Sequence, residues 1–271
     1  MKKIYNYLFL KISSYRILGI IIIILSYQFG LFFELIGQSI EYNIYDLLIQ
    51  PFDYLSLFIV ISLGYLLIIY NLCDNSSFYK YLHLKFKNQV TLFNVNVSII
   101  FIVSICFTLL LNIVAIVESI GKLSFKNLWT PYFFYKMDGK INVFYEGSIV
   151  DLVTKKLTPF RYVVYTNIFI ILYLALLGLL FLVINNYINK RPLTFVIVIG
   201  INAINRIIDS HLGIIEKISF THNIYILTSN KDTIYNNTFV FYRLIYWCVF
   251  LLIVYLVGRY SVLKIDCEYG D

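Results

Sequence analysis

Six apolar runs, each near the roughly 20 residues that a helix needs to cross the hydrocarbon core of a bilayer, take up much of this chain. They cover residues 17–36, 54–72, 97–117, 165–184, 193–208 and 239–259. Backbone groups in lipid have to be satisfied within the chain, so runs of this kind form helices. The sequence therefore predicts an all-α integral membrane protein with six transmembrane helices, a single transmembrane domain over residues 1–271. Composition agrees. Apolar residues make up 60% of the chain and charged ones 14%, against about 45–50% and 25% in soluble domains. That leaves too little polar surface for a water-soluble fold and also excludes disorder. The many Tyr (25) and Phe (23) fit an AT-rich coding bias and need no aromatic recognition surface.

The fifth run is the weakest. It is short, opens at Arg191-Pro192 and carries Asn202 and Asn205 toward its far end, which predicts a broken or re-entrant helix. Pro192 suits a helix start, where the first N–H groups lack intrahelical partners.

The net charge of +7 would suit a nucleic-acid binder if the bases were clustered on one soluble face. Instead they flank the apolar runs, which points to lipid headgroups and excludes nucleic acid as a partner. Lys2, Lys3, Lys11 and Arg16 precede the first run without an acid, whereas Glu34, Glu41, Asp46 and Asp53 follow it without a base. The bias of Lys and Arg toward the cytoplasm predicts a cytoplasmic N-terminus and, with six spans, a cytoplasmic C-terminus, in a bacterial plasma membrane. The third-to-fourth connection, 118–164, is a long extracellular loop that runs against the bias with seven bases and four acids. No Ala-x-Ala cleavage site follows the first run, so it is expected to stay as an anchor.

Residues 2–16 place Ile4, Tyr5, Leu8, Phe9, Ile12 and Tyr15 on one side of a helical wheel, which predicts a basic interfacial helix over 1–16. The connection 74–96 interleaves aromatics and bases around Tyr81, Leu84, Lys85, Phe86 and Lys87. It is either a hairpin facing headgroups or a short helix that plugs apolar side chains into a cytosolic partner. Tyr132, Phe133, Phe134, Tyr135, Phe144 and Tyr145 in the long loop are expected to form a small outer cap or to lie on the outer leaflet. The apolar stretches 212–215 and 224–227 are expected to be interfacial or re-entrant helices before the last span.

Chemistry is sparse. Gly121-Lys122 and Gly139-Lys140 lack the upstream Gly and the following hydroxyl of a phosphate loop, and no span holds a Ser–base pair, two acids or a zinc-binding His-Glu pair. The four Cys and three His are scattered, so neither an outside disulfide nor a metal site is expected. The chain is expected to be no enzyme and to bind no cofactor. Polar residues inside the runs are the remaining candidates: Asn112, Asn202 and Asn205 serve either as glue between helices or as the lining of a substrate path. Arg243, near the outer end of the sixth run, is expected to snorkel to the interface. Glu34, Glu41, Asp46 and Asp53 form either an acidic outer entrance for cationic peptides or a consequence of charge asymmetry. Ion coupling would need ionisable groups at mid-depth, which are scarce.

The order of these segments resembles the permease subunit of a bacterial ABC transporter of the type-2 exporter class. A basic amphipathic N-terminal helix, two spans, a basic aromatic inner connection, and four spans with helical outer segments before the last carry the likeness along the whole chain. Two short motifs add to it. Leu84-Lys85-Phe86-Lys87-Asn88-Gln89 resembles the segment that couples such permeases to their ATPase, and Gly258-Arg259-Tyr260-Ser261-Val262-Leu263-Lys264-Ile265-Asp266 resembles their C-terminal ends. The resemblance implies a separate ATPase subunit that carries ATP and Mg, a second identical or paralogous permease chain, and export of an antimicrobial peptide, drug or other amphipathic cargo, including self-protection of a peptide producer. In that scheme Leu84 and Phe86 are the buried plug and Lys85 and Lys87 its polar rim. The long outer loop and the thin fifth span depart from the compact pattern and leave open a non-catalytic accessory subunit of a larger complex, with a membrane-embedded enzyme as the remaining alternative.

Overall fold

The computed structural model describes residues 15–70, 88–138, 146–211 and 215–268, with the backbone alone at 16, 206–211, 215–216 and 264–268. The described chain is all-helical, with an isolated bridge between Asn43 and Ser124. Helix α1 (Tyr15–Ile36) is followed by α2 (Ile44–Ile49), a 3-10 turn (Gln50–Phe52) and α3 (Tyr54–Ile69). Then come α4 (Gln89–Ser119), α5 (Pro131–Asp138), α6 (Gly147–Lys156), α7 (Pro159–Ile188) and α8 (Arg191–His211). Short helical steps at Ile215–Ile218, α9 (Phe220–Ile224), Ile226–Thr228 and α10 (Lys231–Tyr235) lead into α11 (Phe239–Glu268).

Four of these are long and apolar enough to cross a membrane: Ile17–Ile36, Gln89–Ser119, Pro159–Ile188 and Phe239–Leu263. The α2–α3 pair, bent by 46°, makes a fifth when taken together, while the apolar part of α8, Arg191–Asn205, is shorter. The chain is thus a membrane-embedded helical protein whose second run belongs to a bent pair and whose fifth is a continuous helix with a shorter apolar part. Two boundaries also move. Helix α4 starts about two turns before residue 97, because the Asn88 side chain caps it by accepting from Thr91 N at 2.8 Å. Helix α7 starts at Pro159 rather than 165 and ends where Asn189 turns left-handed (φ 56°).

Burial decides the layout. The apolar window of α7 is 67% buried, against 28% for α1 and 11% for α11, so α7 is the central post and α1 and α11 face lipid. Helix α11 runs parallel to α7, with Tyr165 against Phe239 and Tyr173 against Trp247. Helix α4 runs antiparallel, since Asn112 meets Asn167 near one end and Ile100 meets Gly178 toward the other. At Gly178 a Cβ would sit 2.7 Å from Ile100 Cγ2 and 2.8 Å from the Tyr65 hydroxyl. Only glycine permits that approach, the small-residue device of membrane helix packing.

One end of the bundle is closed by a cap. Asn43 donates to Leu128 O at 2.7 Å, Ile44 N to Ser124 O at 3.1 Å and Tyr132 N to Glu41 O at 3.2 Å, stitching α2 to the segment before α5. Trp129 donates to Leu157 O at 2.9 Å and its ring lies 4.4 Å from Phe133. Tyr132 and Phe133 are buried while Phe134 and Tyr135 are exposed, so two of the aromatics expected in the cap pack as a core; Phe144 and Tyr145 lie outside the described residues. Lys231 on α10 reaches Glu146 at 2.9 Å and ties the last connection to the same end. At the opposite end the Arg191 guanidinium stacks 5.4 Å from the Tyr70 ring.

Candidate functional site

Two polar constellations stand out, one at mid-depth where α8 gives way to short steps and one in the cap. At mid-depth Asn202 and Asn205 share a face of α8, being three residues apart. Asn202 Oδ1 accepts from the Tyr173 hydroxyl at 2.8 Å, and Asn205 Oδ1 accepts from Phe220 N at 2.5 Å. Asn205 thereby satisfies the first helical N–H of α9 with a side chain of the element before it. Ser62 Oγ lies 2.8 Å from the Tyr173 hydroxyl, delivered by a π turn at Leu57–Ile61 whose Leu57 carbonyl already accepts from Ser62 N. Tyr173 spends its one proton on Asn202, and the single proton of Ser62 has two acceptors in reach, the Leu57 carbonyl at 2.7 Å and the Tyr173 oxygen at 2.8 Å. The rings of Phe58, Phe220 and Trp247 close around Tyr173 at 5.9, 6.1 and 6.2 Å. Apart from the Tyr173 phenol the set is made of amides, a serine hydroxyl and a backbone N–H, groups that orient hydrogen bonds. Asn112 donates to Thr108 O at 3.0 Å and to Asn167 Oδ1 at 3.2 Å, joining α4 to α7.

Tyr173→Phe should cost about 0.6–1.7 kcal/mol, the range for hydrogen bonds between membrane helices. Ser62→Ala added to it should cost less than Ser62→Ala alone, because the contact between the two hydroxyls is already gone and only the Ser62 bond to Leu57 O is left to lose. Thermal unfolding of the two single variants and the double variant in detergent measures this; additive losses would show two independent contacts.

Arg243 does not snorkel. It is 4% exposed and donates to Tyr225 O at 2.6 Å, Ser229 Oγ at 2.7 Å and Thr228 Oγ1 at 3.1 Å, with its guanidinium 5.5 Å from the Phe169 ring. Tyr246 donates to Ile218 O at 2.7 Å and Trp247 to Asn223 O at 3.2 Å. Positions 243, 246 and 247 form one helical stripe, so a single face of α11 supplies donors to carbonyls along the steps. Those steps are buried, with Ile224 and Ile226 at 0%, and the Tyr225 hydroxyl donates to Phe52 O at 2.8 Å beside the cap. The stretch 224–227 is interior rather than interfacial.

In the cap, the four expected acids separate. Glu34 and Glu41 are exposed. Asp46 is 6% exposed and completes a capping box with Asn43, its Oδ2 accepting from Asn43 N and from Thr130 Oγ1, both at 2.8 Å. Burial pushes its carboxyl above the ordinary carboxylate range, opposed by those hydrogen bonds and by the charge of Lys136. Asp53 caps α3 through Tyr54 N at 2.9 Å and lies 4.0 Å from Lys136 Nζ. Asp46 and Asp53 line one cleft with Gln50, Tyr132, Phe133 and Lys136. Burial raises the Tyr132 phenol to about 12, and the neighbouring Lys231 ammonium lowers the exposed Glu146 carboxyl. Sequence reasoning passed over Gln50, Tyr132 and Lys136, although Asn43-x-x-Asp46 is a legible cap and residues 46, 50 and 53 share its helical stripe.

The coupling residues Tyr81, Leu84, Lys85, Phe86 and Lys87, and the interfacial helix over 1–16 up to Tyr15, lie outside the described residues. Among the described residues no group of three His, Cys, Asp or Glu could hold a metal ion.

The chain is 25% identical over 264 residues to an uncharacterised protein of Halalkalibacterium halodurans, an alignment that covers 93% of this chain and 89% of that one. No family model matches the chain. No solved structure matches it.

Proposed function

We propose that this chain is the membrane-spanning permease subunit of an ATP-driven exporter of the type-2 ABC class, moving an antimicrobial peptide, drug or other amphipathic cargo. The observation that supports it best is the path of the chain between Arg191 and Phe239. It leaves the Tyr70 end as α8, which runs unbroken past Asn202 and Asn205 to His211, and continues from Ile215 as short steps whose middle, Phe220 to Leu227, is largely buried and reaches Phe52 in the cap. A helix followed by short buried steps suits transporters, because irregular backbone at membrane depth is tolerated only when protein or a cavity surrounds it. Counted this way the chain crosses six times in a bacterial plasma membrane, with the cap outside and both termini in the cytoplasm.

The middle of α7 leaves no room for cargo within one copy: Tyr173, Leu174, Ala175, Leu176 and Leu177 are fully buried. The cargo path therefore runs between two permease chains, identical or paralogous. ATP and Mg act on a separate ATPase subunit, whose closure reaches the spans through Tyr81, Leu84, Lys85, Phe86 and Lys87 as a rigid-body shift. Phe86→Asp puts a charge in the plug and should weaken ATPase association by about 30-fold or more, the effect of losing an interface anchor. Co-purification from the native membrane, followed by transport in vesicles, tests this. Recovery of the chain without any ATPase, together with unchanged activity of Phe86→Asp, would favour the accessory-subunit reading instead.

A further inference from the structure

The cap cleft has the chemistry of a site for an alkylammonium group. Asp46, Ile49, Gln50 and Asp53 fall at i, i+3, i+4 and i+7, so one stripe of α2 and the turn after it supplies an acid, an apolar wall, an amide and a second acid. Phe133 and Met137 complete the apolar walls, and Tyr132 offers a ring. Gln50 is 2% exposed, and neither its amide oxygen nor its amide nitrogen has a hydrogen-bond partner. A buried polar group left this way works against folding, so folding alone does not explain an amide at this position.

The protein's own ammonium already marks the rim. Lys136 Nζ stands 4.0 Å from Asp53 Oδ2 and 5.9 Å from the centre of the Tyr132 ring. The first distance is well beyond the roughly 2.7–2.9 Å of a tight ammonium–carboxylate contact, so this pair is a long one. The Lys136 side chain is 24% exposed and has a route to water. Three N–H donors of a primary ammonium match the Asp46 and Asp53 carboxylates and the Gln50 oxygen, while the methylene stem fits against Ile49, Phe133 and Met137.

We propose that this cleft binds the primary ammonium of an alkylamine, either a lysine side chain of a peptide or a free amine, and that Lys136 is the internal group it displaces. The proposal concerns the cap alone and does not depend on a partner ATPase.

The test is calorimetry on the full-length chain in lipid nanodiscs at low ionic strength. The probes are the blocked tripeptide Gly-Lys-Gly, its norleucine counterpart, which keeps the stem and lacks the amine, and n-butylammonium. The lysine tripeptide should bind saturably and the norleucine tripeptide about tenfold more weakly or not at all. Lys136→Met, which removes the competing charge and keeps the stem, should tighten binding by about tenfold, and Gln50→Leu should weaken it by a similar factor. Both variants are checked for an unchanged unfolding temperature; should Lys136→Met fail that check, Gln50→Leu and the norleucine probe carry the test. Binding of n-butylammonium as tight as that of the tripeptide assigns the site to free amines, and a preference of about tenfold for the tripeptide assigns it to peptides. Equal binding of the lysine and norleucine probes, or no saturable binding to either the natural chain or Lys136→Met, overturns the proposal.

Discussion

Methionine in place of Arg243 is expected to lower the stability of the protein by about 3 kcal/mol or more, since hydrogen bonds to a charged donor contribute roughly 1.5–3 kcal/mol each. The guanidinium is the shared donor to Tyr225 O, Thr228 Oγ1 and Ser229 Oγ. Methionine fills much of the same volume and supplies none of these bonds, so the loss falls on the steps between α8 and α11. Hydrogen exchange should therefore quicken at residues 225–229 well before it does in the fully buried middle of α7. Arg243→Lys should recover only part, because all three bonds come from Nη2 at the tip of the longer side chain, and an ammonium on a shorter stem gives up the planar face that stacks on Phe169. Thermal unfolding of both variants in detergent measures the effect. A lysine variant as stable as the natural chain would mean that charge, rather than the reach and planarity of the guanidinium, holds the segment.

The second large effect is expected at the closest helix crossing. Gly178→Val would drive a branched side chain into Ile100 Cγ2 at 2.7 Å, the Tyr65 hydroxyl at 2.8 Å and Ile69 Cδ1 at 3.2 Å. Those atoms belong to fully or almost fully buried side chains of α3 and α4, and the Tyr65 hydroxyl is itself committed to Ile100 O at 3.3 Å. Relief requires the helices to move apart, at about 1–3 kcal/mol or more for overpacking. Gly258→Val presses on Val183 and Phe93 at a second crossing, where a Cβ would meet Val183 Cγ2 at 2.5 Å. Gly200, with nothing within 4 Å of its Cβ position, is the control. Size-exclusion thermostability should rank Gly178→Val and Gly258→Val far below Gly200→Val; equal ranking would show that these crossings tolerate side chains.

Hydropathy made the membrane-crossing helices legible, because the pattern that marks them is local. The break expected in the fifth run from Asn202 and Asn205 is not there: α8 is continuous through both to His211, and the two amides instead accept from Tyr173 and Phe220. What was not legible depends on contacts distant in sequence. Arg243 reads as an interfacial base until residues 225–229 curl their carbonyl and hydroxyls over it. Asp46 reads as one more outer acid until Thr130 and the Asn43 cap enclose it. Nothing in Leu57-Phe58-Ile59-Val60-Ile61 announces a π turn: no Pro or Gly interrupts it, and the turn appears only with Ser62 facing Tyr173. Gln50 sits beside Pro51 and reads as a loop residue, although the turn it starts continues the buried stripe of Asp46.

The π turn in α3 bears on how this chain aligns with its relatives. Its hydrogen bond closes at i+5 where an ordinary turn closes at i+4, so Leu57–Ile61 holds one residue more than the depth it crosses requires. A relative that lacks one residue here can keep Tyr65, Ile69 and everything toward Tyr70 in the same positions, simply by closing an ordinary turn. Gaps inside membrane helices usually signal misalignment; at this position a one-residue gap is compatible with an unchanged bundle.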